Sequence, residues 1–269
     1  MPFTTNKGVR LHWDEQGSGT PILLVMGHSY SSKMWYPVIP ALAAKHRVIT
    51  FDNRGVGESE APAKWSLKDM ASDAIAVLDA AGVDRAHIYG VSMGGPIVQE
   101  AVFQEPGRFR SLIVGCSGAL TAEKPRMPKW LANLYYLPPW VIRMIRGRSA
   151  GGGQGSAADA DAVAFDAEMI AKDKHSIRGV IAQSHAIADY CTTREAVAGL
   201  TLPSLVIHGD EDTTVPFKWG QELAEILPNS RFVQIPGAGH NYMLVRPDKA
   251  TEEVVRFLDE VDAKPSAVA

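Results

Sequence analysis

A chain of 269 residues, 46% hydrophobic and 21% charged, can bury roughly 70–75% of the surface it exposes when unfolded, and that length suits one large α/β domain or two small ones. Its 27 Lys and Arg against 30 Asp and Glu leave a formal charge of −3, and the lack of a basic stripe or lysine-rich tail argues against a nucleic-acid partner. No apolar run approaches the roughly 20 residues of a membrane-crossing helix.

The N-terminal stretch Met1-Pro2-Phe3-Thr4-Thr5-Asn6-Lys7-Gly8 lacks the apolar core and cleavage signal of a secretory leader. Cys116 and Cys191 stand far apart without C-x-x-C spacing and read as two buried free thiols in a reducing compartment. A soluble, cytoplasmic protein is the expectation.

Val9-Arg10-Leu11-His12-Trp13 alternates apolar and polar residues, as an edge strand does. After the turn Gln16-Gly17-Ser18-Gly19-Thr20-Pro21, the run Ile22-Leu23-Leu24-Val25-Met26 is apolar throughout, the mark of a strand buried on both faces. It ends at Gly27-His28-Ser29-Tyr30. A helix is expected over about Lys33 to Lys45, with Pro37 and Pro40 blurring its start. Arg47-Val48-Ile49-Thr50-Phe51 is the next strand and runs into Asp52-Asn53-Arg54-Gly55-Val56-Gly57-Glu58-Ser59. Ser66-x-x-Asp69 has the form of a capping box for a helix to about Ala81, with Met70, Ala74, Val77, Leu78 and Ala81 inward.

Arg85-Ala86-His87-Ile88-Tyr89 then feeds as a strand into Gly90-Val91-Ser92-Met93-Gly94-Gly95, and Ile97, Val98, Ala101 and Val102 form one face of a departing helix. A strand that turns sharply into a helix crowds the backbone on either side. Glycine has no Cβ to clash there and tolerates strained dihedrals. The serine is left at the tip, at a helix N-terminus that favours developing negative charge.

After the strand Ser111-Leu112-Ile113-Val114, the strand–helix alternation stops. Residues 117–199 read as a helical cap, with helices near Asp159–Asp173 and Ser176–Ala188 and a loop of small residues over Gly147–Ser156 that reads as mobile. Alternation resumes with the strand Ser204–His208, a helix over about Lys218–Ile226, the strand Arg231–Ile235, and a last helix with Pro247 in its first turn. Residues 1–116 and 200–269 therefore read as one α/β core: a mostly parallel central sheet flanked by helices, with the cap inserted between strands. Sites in open parallel sheets form beyond the carboxyl ends of the strands. Those ends carry Gly27-His28-Ser29, Ser92, Gly209-Asp210-Glu211-Asp212 and Pro236-Gly237-Ala238-Gly239-His240.

A serine hydroxyl needs a base to take its proton and a carboxylate to orient that base. With the order Ser…Asp…His and the G-x-S-x-G turn between strand and helix, the chain resembles the α/β-hydrolase fold family over nearly its whole length, among its esterase, lactonase and perhydrolase-like members. The resemblance implies Ser92 as nucleophile, His240 as general base and acid, and Asp212 as orienting carboxylate. The family places its acid three residues after the glycine ending the strand, which points to Asp212; the alternative is that Asp210 serves and Asp212 caps the next helix. An oxyanion hole is expected from the backbone N–H groups of Met93 and His28. Where many relatives read His-Gly-x, this chain has Met26-Gly27-His28, which leaves the His28 imidazole to face the pocket. Asp52–Ser59 matches the family's D-x-R-G-x-G-x-S turn, with a structural role.

The expected activity is hydrolysis of a small carboxylic ester or lactone through an acyl-enzyme. Carbon–carbon bond hydrolysis, acyl transfer to peroxide, and a small-molecule receptor on the same scaffold are the alternatives. Haloalkane dehalogenases and most epoxide hydrolases of this fold use aspartate at the elbow. No metal or other cofactor is expected: the histidines show no H-x-x-x-H spacing, and neither a dinucleotide fingerprint nor a phosphate-binding loop is present. Trp35, Trp130, Tyr135 and Tyr136 either line the pocket or pack the cap.

Overall fold

The computed structural model describes residues 2–125, 128–130, 154–174 and 176–264. At its centre is β3 (Thr20–Val25), whose residues Ile22, Leu23, Leu24 and Val25 are fully buried. It pairs in parallel with β4 (His46–Phe51) on one side and β5 (Ala86–Val91) on the other. Beyond β5 follow β6 (Phe109–Gly115), β7 (Ser204–Gly209) and β8 (Ser230–Ile235), all parallel. On the far side of β4, β2 (Val9–Gln16) and β1 (Phe3–Asn6) complete an antiparallel edge, giving the order β1-β2-β4-β3-β5-β6-β7-β8. The sheet is that of the expected α/β core.

Strand β1 is absent from the sequence reading, and by pairing with the outer side of β2 it corrects the expectation that Val9–Trp13 is an edge strand. Its signal lies in Lys7-Gly8, whose φ angles of 48° and 78° are those of a two-residue type I′ turn that folds β1 back onto β2.

Helix α1 (Ile39–Ala43) corrects the single helix expected over 33–45. The segment is split into a 3₁₀ turn, Ser32–Trp35, and this short helix. Pro37 cannot donate a backbone hydrogen bond to continue the 3₁₀ turn beyond Tyr36, whereas Pro40 is tolerated in the first turn of α1.

Helix α2 (Leu67–Ala80) starts at a complete capping box: the Ser66 side chain accepts from the Asp69 amide, and Asp69 accepts from the Ser66 amide at 2.9 Å. Met70, Ala74, Val77, Leu78 and Ala81 are buried, as their spacing predicts. With α3 (Gly94–Gln104), α2 covers one face of the sheet.

Between β6 and β7 lie α4 (Ala160–Lys172), α5 (Ile177–Asp189) and α6 (Arg194–Ala198), capped by Asp159, Ser176 and Thr193 respectively. Helix α6 was not expected. Residues 147–153 of the small-residue loop, and Tyr135 and Tyr136, lie outside the described residues. After β7 come α7 (Phe217–Ile226), the single turn α8 (Tyr242–Val245) and α9 (Pro247–Asp262), which opens on Pro247 as expected. Together with α1, α9 lies against the second face.

Cys116 is buried but Cys191 is exposed, correcting the reading of two buried thiols. Tyr190 caps α5 in extended backbone, so neighbouring side chains point opposite ways; Tyr190 turns inward to Glu100 at 2.9 Å and Cys191 outward. Trp35 is a core residue, fully buried with its ring 4.9 Å from that of Tyr89, and Trp130 is exposed. Among the described residues no helix is long and apolar enough to cross a membrane.

Candidate active site

The turn after β5 is built by close approach. A Cβ on Gly90 would run into the Gly94 carbonyl, and one on Gly94 into the Val25 carbonyl. The left-handed strain expected of the glycines falls instead on Ser92, at φ 54°. Its backbone is held on both sides: its N–H donates to Gly115 O at 2.9 Å, and its carbonyl accepts from Gly95 N at 2.9 Å and Ser117 Oγ at 2.8 Å. Of the four non-glycine residues with positive φ among those described, Ser29, Ser92 and Cys116 follow β3, β5 and β6. Strain is thus gathered at the carboxyl edge of the sheet.

Three side chains from three strand ends meet there. Ser92 Oγ lies 2.9 Å from His240 Nε2, and His240 Nδ1 lies 2.8 Å from Asp212 Oδ2. Asp212 Oδ1 accepts from the amides of Thr214 at 2.8 Å and Val215 at 2.9 Å. Burial acts to raise the Asp212 carboxyl pKa, but hydrogen bonds from His208 and His240, the charge of His240 and the Val215 amide outweigh it and hold the group below the usual carboxylate range. Asp210 is turned away, accepting from Gly237 N at 2.8 Å and Gln234 Nε2 at 2.7 Å. Of the two candidate carboxylates, the structure brings Asp212 to His240.

Gly27 approaches so closely that a Cβ there would lie 3.1 Å from the Ser92 Cβ, so the peptide leading into His28 stands beside the hydroxyl. His28 lines the cavity, and its ring serves as a cross-link. Its Nε2 lies 3.0 Å from Val180 O and 2.8 Å from Ser184 Oγ on α5. A carbonyl only accepts, so Nε2 carries the proton and Nδ1 accepts from Ser29 Oγ at 2.7 Å.

The Asp52 turn braces this edge. Asp52 accepts from Ser32 N and Oγ at 2.8 and 2.7 Å and from Glu58 N at 2.9 Å, while Asn53 Nδ2 donates to Met26 O at 2.9 Å. Arg54 forms a buried pair with Asp73.

Above Ser92 opens a cavity of about 570 Å³, its walls mainly apolar and formed by residues such as Met93, Leu120, Ile187, Val215 and Trp219. Lys124 also lines it, paired with Glu222 and with Nζ 5.1 Å from the Trp219 ring centroid. Sequence patterns do not single out Trp219, Lys124 or His208, whose ring reaches Asp212. For His208 a signal exists: a histidine inside an apolar strand run is buried and must find a polar partner.

A mostly parallel sheet with a strained strand–turn–helix serine, and with histidine and aspartate at neighbouring strand ends, is the architecture of the α/β-hydrolase fold. A family model described as alpha/beta hydrolase fold matches residues 20–247, and the chain belongs to that family. A relative from Mycobacterium tuberculosis (strain ATCC 25618 / H37Rv), provisionally named non-heme bromoperoxidase BpoC, is 30% identical over 265 residues, covering 95% of this chain and 100% of its own. The structure of a thermophilic esterase from Thermogutta terrifontis superposes with a TM-score of 0.82 at 25% identity, over 96% of this chain and 97% of that one. Est816, described as an N-acyl homoserine lactone degrading enzyme, does so with a TM-score of 0.74 at 26% identity, over 95% of this chain and all of its own (100%).

Proposed function

We propose that this protein is a serine hydrolase that cleaves a carboxylic ester or lactone through an acyl-enzyme. The observation that carries the reading is the unbroken Ser92–His240–Asp212 chain, with links of 2.9 and 2.8 Å, opening into an apolar cavity. In this mechanism His240 Nε2 takes the Ser92 proton as Oγ bonds to the substrate carbonyl carbon. The carbonyl oxygen becomes an oxyanion held by the amides of His28 and Met93; Met93 stands at the start of α3, where amides lack intrahelical acceptors. Collapse breaks the bond to the leaving alcohol, which takes the proton from His240. Water then attacks the acyl carbon, gives its proton to His240, and Ser92 leaves with it. Asp212 holds the imidazole tautomer and stays ionised throughout.

Residues 117–199 serve as the lid in this reading. Leu120, Lys124, Ser184, Ile187 and Tyr190 from that stretch wall the cavity. The likeness to an esterase and to a lactone-degrading enzyme supports the bond type. The 30% identity to BpoC favours acyl transfer to peroxide as the second reading, since it would proceed through the same acyl-enzyme.

A fluorophosphonate should label Ser92 stoichiometrically, read by mass spectrometry of its peptide, and the label should abolish turnover of p-nitrophenyl esters and lactones of graded size. Labelling at another residue, or ester turnover that survives labelling, would sink the reading. Labelling without turnover on any ester or lactone would favour a receptor.

A further inference from the structure

His208 lies outside the Ser92–His240–Asp212 chain yet touches it. It is the fifth residue of β7, with its side chain fully buried, and its Nε2 lies 3.0 Å from Asp212 Oδ2 and 3.1 Å from Val215 O. An ionised carboxylate and a carbonyl only accept, so Nε2 must carry the ring proton. The other nitrogen, Nδ1, has no hydrogen-bond partner among the described residues. It faces Gly220, where a Cβ would run into it. A purely apolar side chain would occupy this space without stranding a buried acceptor. What distinguishes histidine here is the bond from Nε2.

That bond completes the Asp212 carboxylate. Oδ1 accepts two amides, from Thr214 and Val215, and Oδ2 accepts two imidazoles, from His240 and His208. A carboxylate offers about four lone-pair sites, and all are used. Turning it about its own axis breaks two pairs at once.

We propose that His208 is a positioning residue for the hydrolysis inferred above: its Nε2–H pins Asp212 Oδ2 at the angle His240 requires and draws off part of the carboxylate charge that would otherwise act on His240 alone. The inference rests on that functional reading. It has two consequences. Without the donor, Asp212 gains freedom to turn, and proton transfer slows while binding is untouched, because His208 does not line the cavity. The carboxylate charge also falls more heavily on His240 and favours its protonated form. The acid limb of kcat/KM then moves to higher pH.

Other groups around Asp212 leave this sign intact. The Cys116 thiol, at the end of β6, is pushed well up by burial and by the charge of Asp212, and stays protonated. Behind it Tyr89 and Tyr242 are likewise pushed up by burial. Glu211 accepts from Ser156 N and Oγ at 2.6 Å each, and Asp210 from Gly237 N. Phe217, whose ring centroid lies 5.9 Å from that of His208, is uncharged.

The test compares full-length wild type, His208→Leu and His208→Gln on p-nitrophenyl acetate from about pH 5 to 9, spanning the range where a histidine base titrates. His208→Leu should lose about tenfold in kcat, the effect of one hydrogen bond to a charged group, with KM unchanged within about twofold. Its acid limb should rise by about half a pH unit or more. His208→Gln, whose amide can donate to Oδ2, should restore both. An unmoved limb in the leucine variant, or a glutamine variant no better than leucine, overturns the proposal. Nitrogen-15 imidazole spectra of the wild type need no variant to fold: the His208 proton should sit on Nε2, and a proton on Nδ1 overturns the proposal. If wild-type turnover proves independent of Ser92, the functional reading and the positioning role fall together; if it depends on Ser92 and the limb stays fixed, only the role of His208 falls.

Discussion

Ser92→Ala is expected to lower kcat on an ester substrate by roughly 10⁶-fold, leaving the residual acceleration that binding and oxyanion donors supply by themselves. The Asp212 carboxylate is taken up by four donors, His240 among them, and water entering the space lacks the fixed position of an Oγ bonded to His240 at 2.9 Å. Steady-state assays with p-nitrophenyl esters check this; hydrolysis within tenfold of wild type would remove Ser92 from the mechanism.

The same position carries a stability prediction that does not depend on chemistry. Alanine and glycine both remove the hydroxyl, so their difference isolates the backbone. In a left-handed conformation such as φ 54°, a Cβ costs about 1–2 kcal/mol. Glycine's greater freedom when unfolded costs about 0.5–1 kcal/mol. Ser92→Gly should therefore be more stable than Ser92→Ala by roughly 0.5–1 kcal/mol, the reverse of the order in an ordinary helix or strand. Urea unfolding of the two variants measures it, and alanine being the more stable would mean that the turn relaxes and stores no strain.

Asp212→Asn should lower kcat by about 10⁴-fold, the loss expected when an amide leaves the histidine in the wrong tautomer. Here the surroundings make the change harsher than a lost charge. The carboxylate accepts from four donors, two on each oxygen. An asparagine must turn its NH₂ either toward His208 and His240 or toward the amides of Thr214 and Val215. Either way donors face donors. Asp210→Asn, which changes only contacts to Gly237 and Gln234, should stay within about tenfold of wild type, and a larger loss there than at Asp212 would reverse the assignment.

The pH dependence of folding follows from the same group. Its folded pKa is depressed, burial being outweighed by the donors from His208 and His240, so the unfolded chain takes up a proton first as pH falls. Asp212 therefore contributes its full stability above about pH 4, the unfolded carboxyl range, and loses it as pH drops toward the folded value. Asp212→Asn should show a shallower fall in stability below about pH 4 in urea titrations; an unchanged slope would contradict the depressed value.

What could be read from the sequence shares one property: each signal lies within a few residues of its cause. The capping box of Ser66 and Asp69 satisfies amides in its own turn. The run Ile22–Val25 is apolar at every position because a parallel strand is covered on both faces. Gly90 and Gly94 stand two residues either side of Ser92 because the turn brings its own flanks together. From such signals the parallel core, the strand beside it and the strand ends that carry Ser92, Asp212 and His240 were legible in order, whereas the edge was not, because β1 covers the strand that alternates like one. What the tertiary structure decided depends on residues distant in the chain. Trp35 enters the core because Tyr89 lies opposite it, and Cys191 turns outward because Tyr190 finds Glu100. Asp212 rather than Asp210 reaches His240 because Gly237 and Gln234 take up Asp210. His208 gains its place because β7 and the loop after it fold its ring onto the Asp212 carboxylate; no pattern along the chain states that two imidazoles share one oxygen, since that follows only once distant backbone is packed at hydrogen-bond distance.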